Sequence, residues 1–194
     1  MTYPVGTKDN LLNGQTFTQA SLHTAFPGTT GANEVTGGAP AYARKNITMN
    51  ASAGGSGRSL NASVTFDVPA TTVRYVGFWN GGTFVGCAAN GGATPKNFMA
   101  VPATDVCYAV AHGWSDGQKI VFLGGAPTGL TEGQVYFTRD TATDSFKVAA
   151  TAGGVAIDIT ASATFGCVVC AITEDVYAAQ NTHQLSSAAW QIPD

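Results

Sequence analysis

The sequence predicts an all-β fold: a β-sandwich carrier domain with a second, small β domain of meander or barrel-like form inserted into it. Three observations carry this expectation. Apolar runs are short and are split throughout by Gly, Pro, Asn and Asp, the punctuation of strands joined by tight turns. Apolar and polar residues alternate in several of these runs, whereas a 3.6-residue period is sustained nowhere beyond the N-terminal segment. The 194 residues include 24 glycines and only 11% charged residues, a composition suited to extended and sharply turned backbone.

In chain order, Lys8-Asp9-Asn10-Leu11-Leu12-Asn13 forms the one helical segment, closed by Gly14 as a C-terminal cap. Phe17 to Ala25 alternates as a strand, and Phe26 to Asn33 is a loop rich in Gly, Pro and Thr. After the turn Gly37-Gly38-Ala39-Pro40, the run Tyr42 to Met49 puts Ala43, Lys45, Ile47 and Met49 on one face. Gly54-Gly55-Ser56-Gly57 is a loop tip. Val64, Phe66 and Val68 point inward from the half-buried strand Ser63–Pro69. Val73 to Trp79 is a strand, Gly81-Gly82 a hairpin turn, and Thr83 to Ala88 the return.

Residues 89–104 read as a connector into the inserted unit, placed at 105–172, which leaves 1–104 plus 173–194 as the carrier. Inside the insert, strands are expected at Lys119–Leu123, Gln134–Thr138, Ser145–Val148 and Val155–Ile159. Val106–Ala111 and Phe165–Ile172 are expected to pair as its first and last members. The closing runs, Val176–Ala179 and His183 to Ile192, then complete the carrier sheet. A sandwich is the ordinary way to bury so many short strands.

Composition excludes several function classes. Net charge is −3, and nine Lys and Arg are spread thinly, so the phosphate-contacting patch of a nucleic-acid binder is absent. No run approaches the eighteen or so apolar residues of a membrane span, so no membrane insertion is expected. Met1 to Gly6 lacks the basic and apolar regions of a secretory signal, which implies assembly in a cytosol. So lightly charged a surface suits a protein packed against copies of itself or within a larger assembly.

No catalytic constellation emerges. His23, His112 and His183 stand apart from any spaced metal motif, and the nucleophile elbow, HExxH and phosphate-loop patterns are missing. Asp105, Asp116, Asp140, Asp144, Glu174 and Asp175 all fall in expected turns, where carboxylates shape backbone. Asp140, Thr143 and Asp144 flank a loop of a kind that can hold Ca²⁺, without the EF-hand pattern. Cys167 and Cys170 form a CxxC, but on a strand their thiols point to opposite faces and cannot share a metal. They and the separate Cys87 and Cys107 read as buried, reduced thiols. No cofactor and no metal is expected. Trp79, at a hairpin tip, and Trp114, beside a Gly turn, are the candidate contact residues: exposed, they stack on a sugar or anchor a protein, and buried, they close the end of a β-sandwich.

An ordered set of segments resembles a group of tailed-bacteriophage virion proteins of the tail-fibre or minor structural kind. It comprises Ser21-Leu22-His23-Thr24-Ala25-Phe26-Pro27-Gly28, Asn33 to Gly38, Ala41 to Lys45, Ala53 to Ser56, Val64 to Pro69 and Val76 to Gly82. The insert is similar to small β modules of phage tail and fibre proteins, through Gly113-x-Ser115-Asp116-Gly117, Pro127 to Tyr136 and Phe146 to Ala149. The resemblance implies a non-enzymatic, homo-oligomeric structural component of a phage particle, assembled in the host bacterial cytoplasm. Its expected partners are copies of itself and other virion proteins of tail, portal-proximal region or capsid. A tail fibre or appendage serving virion assembly or host contact is the leading expectation. A capsid decoration protein and a carbohydrate-binding module taking host surface glycan are the alternatives.

Overall fold

The computed structural model describes residues 4–190 except Ser56 and Phe165. Met1 to Tyr3, Ser56 of the glycine loop, Phe165 of the expected strand, and Gln191 and Ile192 of the last run therefore lie outside the described residues. Among the described residues the fold is all-β apart from one short helix, and the chain divides into two compact units. One holds residues up to Gly92 together with those from Glu174 onward; the other is Ala93–Thr173.

The first unit opens with α1 (Val5–Gly14), whose buried face is Lys8 and Leu12, four residues apart and so one helical turn. The helix is held by side chains on its inner turns. Asp9 Oδ1 accepts from the Ser52 hydroxyl at 2.5 Å and from Gly55 N at 3.0 Å. Asn13 exchanges two bonds with the Ser52 backbone, at 3.0 and 2.7 Å.

A four-stranded antiparallel sheet follows, in the order β2 (Lys45–Asn46), β1 (Gln19–His23), β6 (Tyr75–Asn80), β7 (Thr83–Ala89). Ala20 pairs with Phe78 and Leu22 with Val76, so these four side chains share one face. That face meets Phe66 and Val68 of β4 (Val64–Val68) and Leu185 of β16 (Asn181–Leu185) in one buried cluster with Phe17, Ile47 and Met49. The four-stranded sheet and the β4–β16 pair thus form the two layers of a sandwich. Two smaller pairs complete the unit: β5 (Thr71–Val73) with β15 (Asp175–Tyr177), and β3 (Arg58–Ser59) with β17 (Ala189–Trp190).

The other face of the four-stranded sheet is also covered. The chain from Thr24 to Asn33 folds back over it, fastened by Thr24 N to Asn33 O at 3.0 Å and Val35 N to Leu22 O at 2.9 Å. This is why Tyr75 to Trp79 is apolar almost without interruption and buried at every position: a strand covered on both sides does not alternate.

Two expectations for this unit are corrected. The run Tyr42 to Met49 is a strand only at Lys45–Asn46, although Ile47 and Met49 do enter the core. The expected strand from Val73 to Trp79 is interrupted at Arg74, which separates β5 from β6. Arg74 turns aside to an ion pair with Glu174 at 2.5 Å and donates to Thr24 O at 2.7 Å.

The second unit contains β8 (Lys96–Asn97), β9 (Met99–Val101), β10 (Val106–Tyr108), β11 (Lys119–Leu123), β12 (Tyr136–Arg139), β13 (Ser145–Ala149) and β14 (Val168–Ala171). They form one antiparallel sheet in the order β8-β14-β11-β12-β13-β10-β9. Its two end strands, β8 and β9, are consecutive in the chain and separated by Phe98 alone. The sheet therefore closes on itself, with the segment from Lys96 to Val101 pairing with β14 through its first half and with β10 through its second. Ala100, Cys107, Ile120, Phe122, Tyr136, Phe146, Val148 and Val169 fill the interior, and the Phe98 ring packs 5.0 Å from that of Phe122.

The barrel corrects the expected pairing of this segment. β10 pairs with β9 and β13, and β14 with β8 and β11, so the runs beginning at Val106 and ending at Ile172 are not neighbours. The stretch read as a connector supplies β8 and β9, which stand between them. Val155–Ile159 is not a strand; it makes one bridge, Ala156 to Ala149, and plugs the barrel with Ile159. The expected Gln134–Thr138 strand begins two residues later, at Tyr136.

Candidate functional site

The two tryptophans singled out in the sequence have different fates. Trp79 is not exposed at its hairpin: it is 5% accessible, and its Nε1 donates to Ser21 Oγ at 2.7 Å. The Arg44 guanidinium lies 3.3 Å from the ring centroid and is itself paired with both Glu34 carboxylate oxygens. Gly31, at φ +77, lies so close over the indole that a Cβ there would stand 2.5 Å from it. Strand alternation sends the Phe78 and Trp79 rings to opposite sides of β6, and the register shift beside them leaves Val85 of β7 as the extra residue.

Behind Trp79 is a Ser–His pair that the sequence did not reveal, because strand alternation alone places Ser21 and His23 side by side. Ser21 Oγ is 2.7 Å from His23 Nε2, and His23 Nδ1 is 2.7 Å from Ala32 O. A carbonyl only accepts, so Nδ1 carries the proton, Nε2 accepts from Ser21, and Ser21 accepts in turn from Trp79. Both residues are wholly buried, and burial lowers the pKa of His23. The serine has no open face toward a substrate and no carboxylate orients the imidazole. The pair works as a structural polar chain within the sheet.

Trp114 is half-buried and lines an open depression of about 500 Å³ in the second unit, together with Ala111, Gly113, Thr141, Ala142 and Thr143. Its ring rests on Phe146 and His112, with centroids 5.3 and 5.1 Å away. His112 Nδ1 accepts from Trp114 N at 3.0 Å, and Nε2 donates to Ser145 O at 3.2 Å. Both walls are pinned by carboxylates: Asp144 Oδ1 accepts from Ala111 N at 2.7 Å, and Asp116 Oδ1 from Thr141 N at 2.9 Å. The Asp116 carboxyl is held below its usual range by those backbone and hydroxyl bonds from Thr141. Ala111 and Asp140, one in each wall region, both have positive φ, +48° and +49°. Nothing in an alanine's side chain signals that conformation, so sequence reading passed over this wall.

The remaining candidates are tied to backbone or to other side chains. Asp105 accepts from Ile159 N at 2.9 Å, Asp140 pairs with Arg139, and Asp175 accepts from Asn90 at 2.8 Å. His183 is buried, with Nδ1 3.0 Å from the Tyr177 hydroxyl and 3.5 Å from Asp175, and its pKa is lowered by burial. Among the described residues, no group of three or more His, Cys, Asp and Glu is placed to hold a metal ion. Cys167 faces the barrel interior while Cys170 does not, the opposed orientation that a strand imposes. Burial pushes the thiols of Cys107, Cys167 and Cys170 up to about 12.

The family model described as podophage GP4 fiber I protein gp80 matches residues 7–111, just over half of the chain, and the chain belongs to that family. The match runs through the first unit to Gly92 and on through β8, β9 and β10, ending at the rim of the Trp114 depression. No curated protein and no solved structure matches.

Proposed function

We propose that this protein is a fibre component of a phage particle, serving virion assembly or host contact as an appendage of the tail. The membership of residues 7–111 in a phage fibre family carries the reading. The chemistry agrees with it. Asp105, Asp116 and Asp144 are engaged with backbone amides, the Ser21–His23 pair is sealed inside a sheet, and charged residues are only 11% of the chain. Closure of the barrel through Lys96–Val101 leaves only short stretches of edge, at β8 and β9, open to uncontrolled pairing, which suits a protein held at high local concentration.

Immunogold labelling of purified particles, with copy number from quantitative mass spectrometry, tests the proposal. Label confined to the tail vertex, at few copies per particle, supports it. Label spread over the shell at lattice-like copy number replaces it with capsid decoration, and absence from particles removes a virion role altogether.

A further inference from the structure

The depression around Trp114 has the make-up of a binding site for one ring of a small polar ligand, and nearly all of it lies beyond the residues matched to the fibre family. Its volume, about 500 Å³, falls within the roughly 300–1,000 Å³ of small-molecule sites. Trp114 gives a broad aromatic surface fixed from behind by Phe146 and His112, so little freedom remains to be lost on binding. Thr141 and Thr143 line the depression too: the Thr143 hydroxyl can both donate and accept, and the Thr141 hydroxyl, which donates to Asp116, still offers lone pairs.

A second, independent observation points the same way. Ala111 holds left-handed backbone that a residue without a short polar side chain avoids, Asp140 holds the same conformation, which Asp adopts readily, and Asp144 and Asp116 lock the adjoining amides. Strain retained at non-glycine positions is concentrated where a surface must be held in one shape. Here it sets the wall at Ala111, facing into the same depression as the turn at Asp140.

We infer that this depression binds a neutral pyranose ring, with the ring's C–H face on the Trp114 indole and its hydroxyls on Thr141 and Thr143. The negative face of an indole attracts the slightly positive C–H groups of a sugar. The charge at the rim decides between neutral and acidic sugars. Asp116, Asp140 and Asp144 surround the walls, while Arg139 is already paired with Asp140 and Lys96 donates to Ala111 O. An anionic sugar meets net repulsion there. The inference deepens the host-contact half of the proposed function and rests on it for its biological meaning.

Saturation-transfer NMR on the full chain, with the methyl glycosides of glucose, galactose and N-acetylglucosamine as probes, tests the inference. Transfer to the ring protons of at least one glycoside is expected. Ala142→Arg, at an exposed position whose backbone bond is untouched, fills the depression and should weaken that binding at least tenfold; Trp114→Ala should abolish it. No transfer from any of the three overturns the inference, as does binding that survives Ala142→Arg, whatever Trp114→Ala does. Equal binding of the methyl glycoside of sialic acid overturns the neutral specificity. A protein found at the tail that binds none of these sugars leaves the fibre reading standing. Sugar binding by a protein absent from particles removes that reading and leaves the pocket.

Discussion

Ser21 Oγ and His23 Nε2 are 2.7 Å apart on one face of a strand, and neither residue reaches solvent. The hydroxyl is the middle member of a directed chain from Trp79 Nε1 through Ser21 and His23 to Ala32 O. Ser21→Ala strands two buried groups at once, the indole N–H and the imidazole Nε2. At about 1–3 kcal/mol for each unsatisfied group, a loss of at least 2 kcal/mol is expected in urea denaturation. An unchanged midpoint removes the chain from the account of stability.

Gly77 sits opposite Ser21 in the neighbouring strand, and a methyl group there would overlap both Ser21 Oγ and His23 Nε2. Gly77→Ala should therefore destabilise by about 1–3 kcal/mol through overpacking, although alanine suits a strand no worse than glycine. Thermal melts of the variant and the parent decide the matter, and a gain in stability contradicts the geometry.

Acid should weaken the fold in two stages. Burial depresses the pKa of both His23 and His183, in the latter against an opposing pull from Asp175. As pH falls through about 6.5 the unfolded chain takes up protons that the folded chain refuses. Stability is complete above that pH and declines below it until the folded imidazoles titrate. Asp9 and Asp116 are held below the usual carboxyl value, so what they contribute is lost as pH falls below about 4. Denaturation midpoints from pH 8 down to pH 3 should show both declines; stability that rises between pH 7 and pH 5 contradicts the first.

Barrel closure at Phe98 has its own signature in amide hydrogen exchange. If the segment from Lys96 to Val101 is a shared wall, its paired amides exchange as slowly as those of β10 and β14. Rapid exchange throughout β8 and β9, with β11 to β13 protected, means an open sheet. Phe98→Ala should cost about 2 kcal/mol, less than a wholly buried phenylalanine because the ring is only partly covered.

The thiols give a direct check on the interior. Cys107, Cys167 and Cys170 are buried with pKa values pushed up to about 12, whereas Cys87 is half-exposed. At pH 8 an aromatic disulfide reagent should titrate Cys87 alone in the native protein, and all four thiols after denaturation. More than one fast native thiol contradicts the packing.

Local pattern made much of this legible from sequence. The alternation of Val64 to Val68 and the hairpin about Gly81-Gly82 follow from period and turn chemistry, and both are in the structure. What escaped was set by distant partners. β3, β8 and β17 are two residues long and have no periodicity to read; each exists because a strand far along the chain pairs with it. Sequence leaves Trp79 open between an exposed and a buried reading, and what decides for burial is a loop that begins more than forty residues earlier. Trp114 was legible as a candidate, and the walls around it were not, since left-handed alanine leaves no mark in a sequence.

The points at which the chain leaves and rejoins the first unit are fastened together: Asn90 bonds Asp175 at 2.8 Å, Arg74 pairs with Glu174 at 2.5 Å, and β5 runs antiparallel to β15. A pull on the first unit from either side of that clasp is borne by the short β5–β15 ladder and its two side-chain ties. The first unit is thus closed by its own contacts at the two places where the segment Ala93–Thr173 departs and returns.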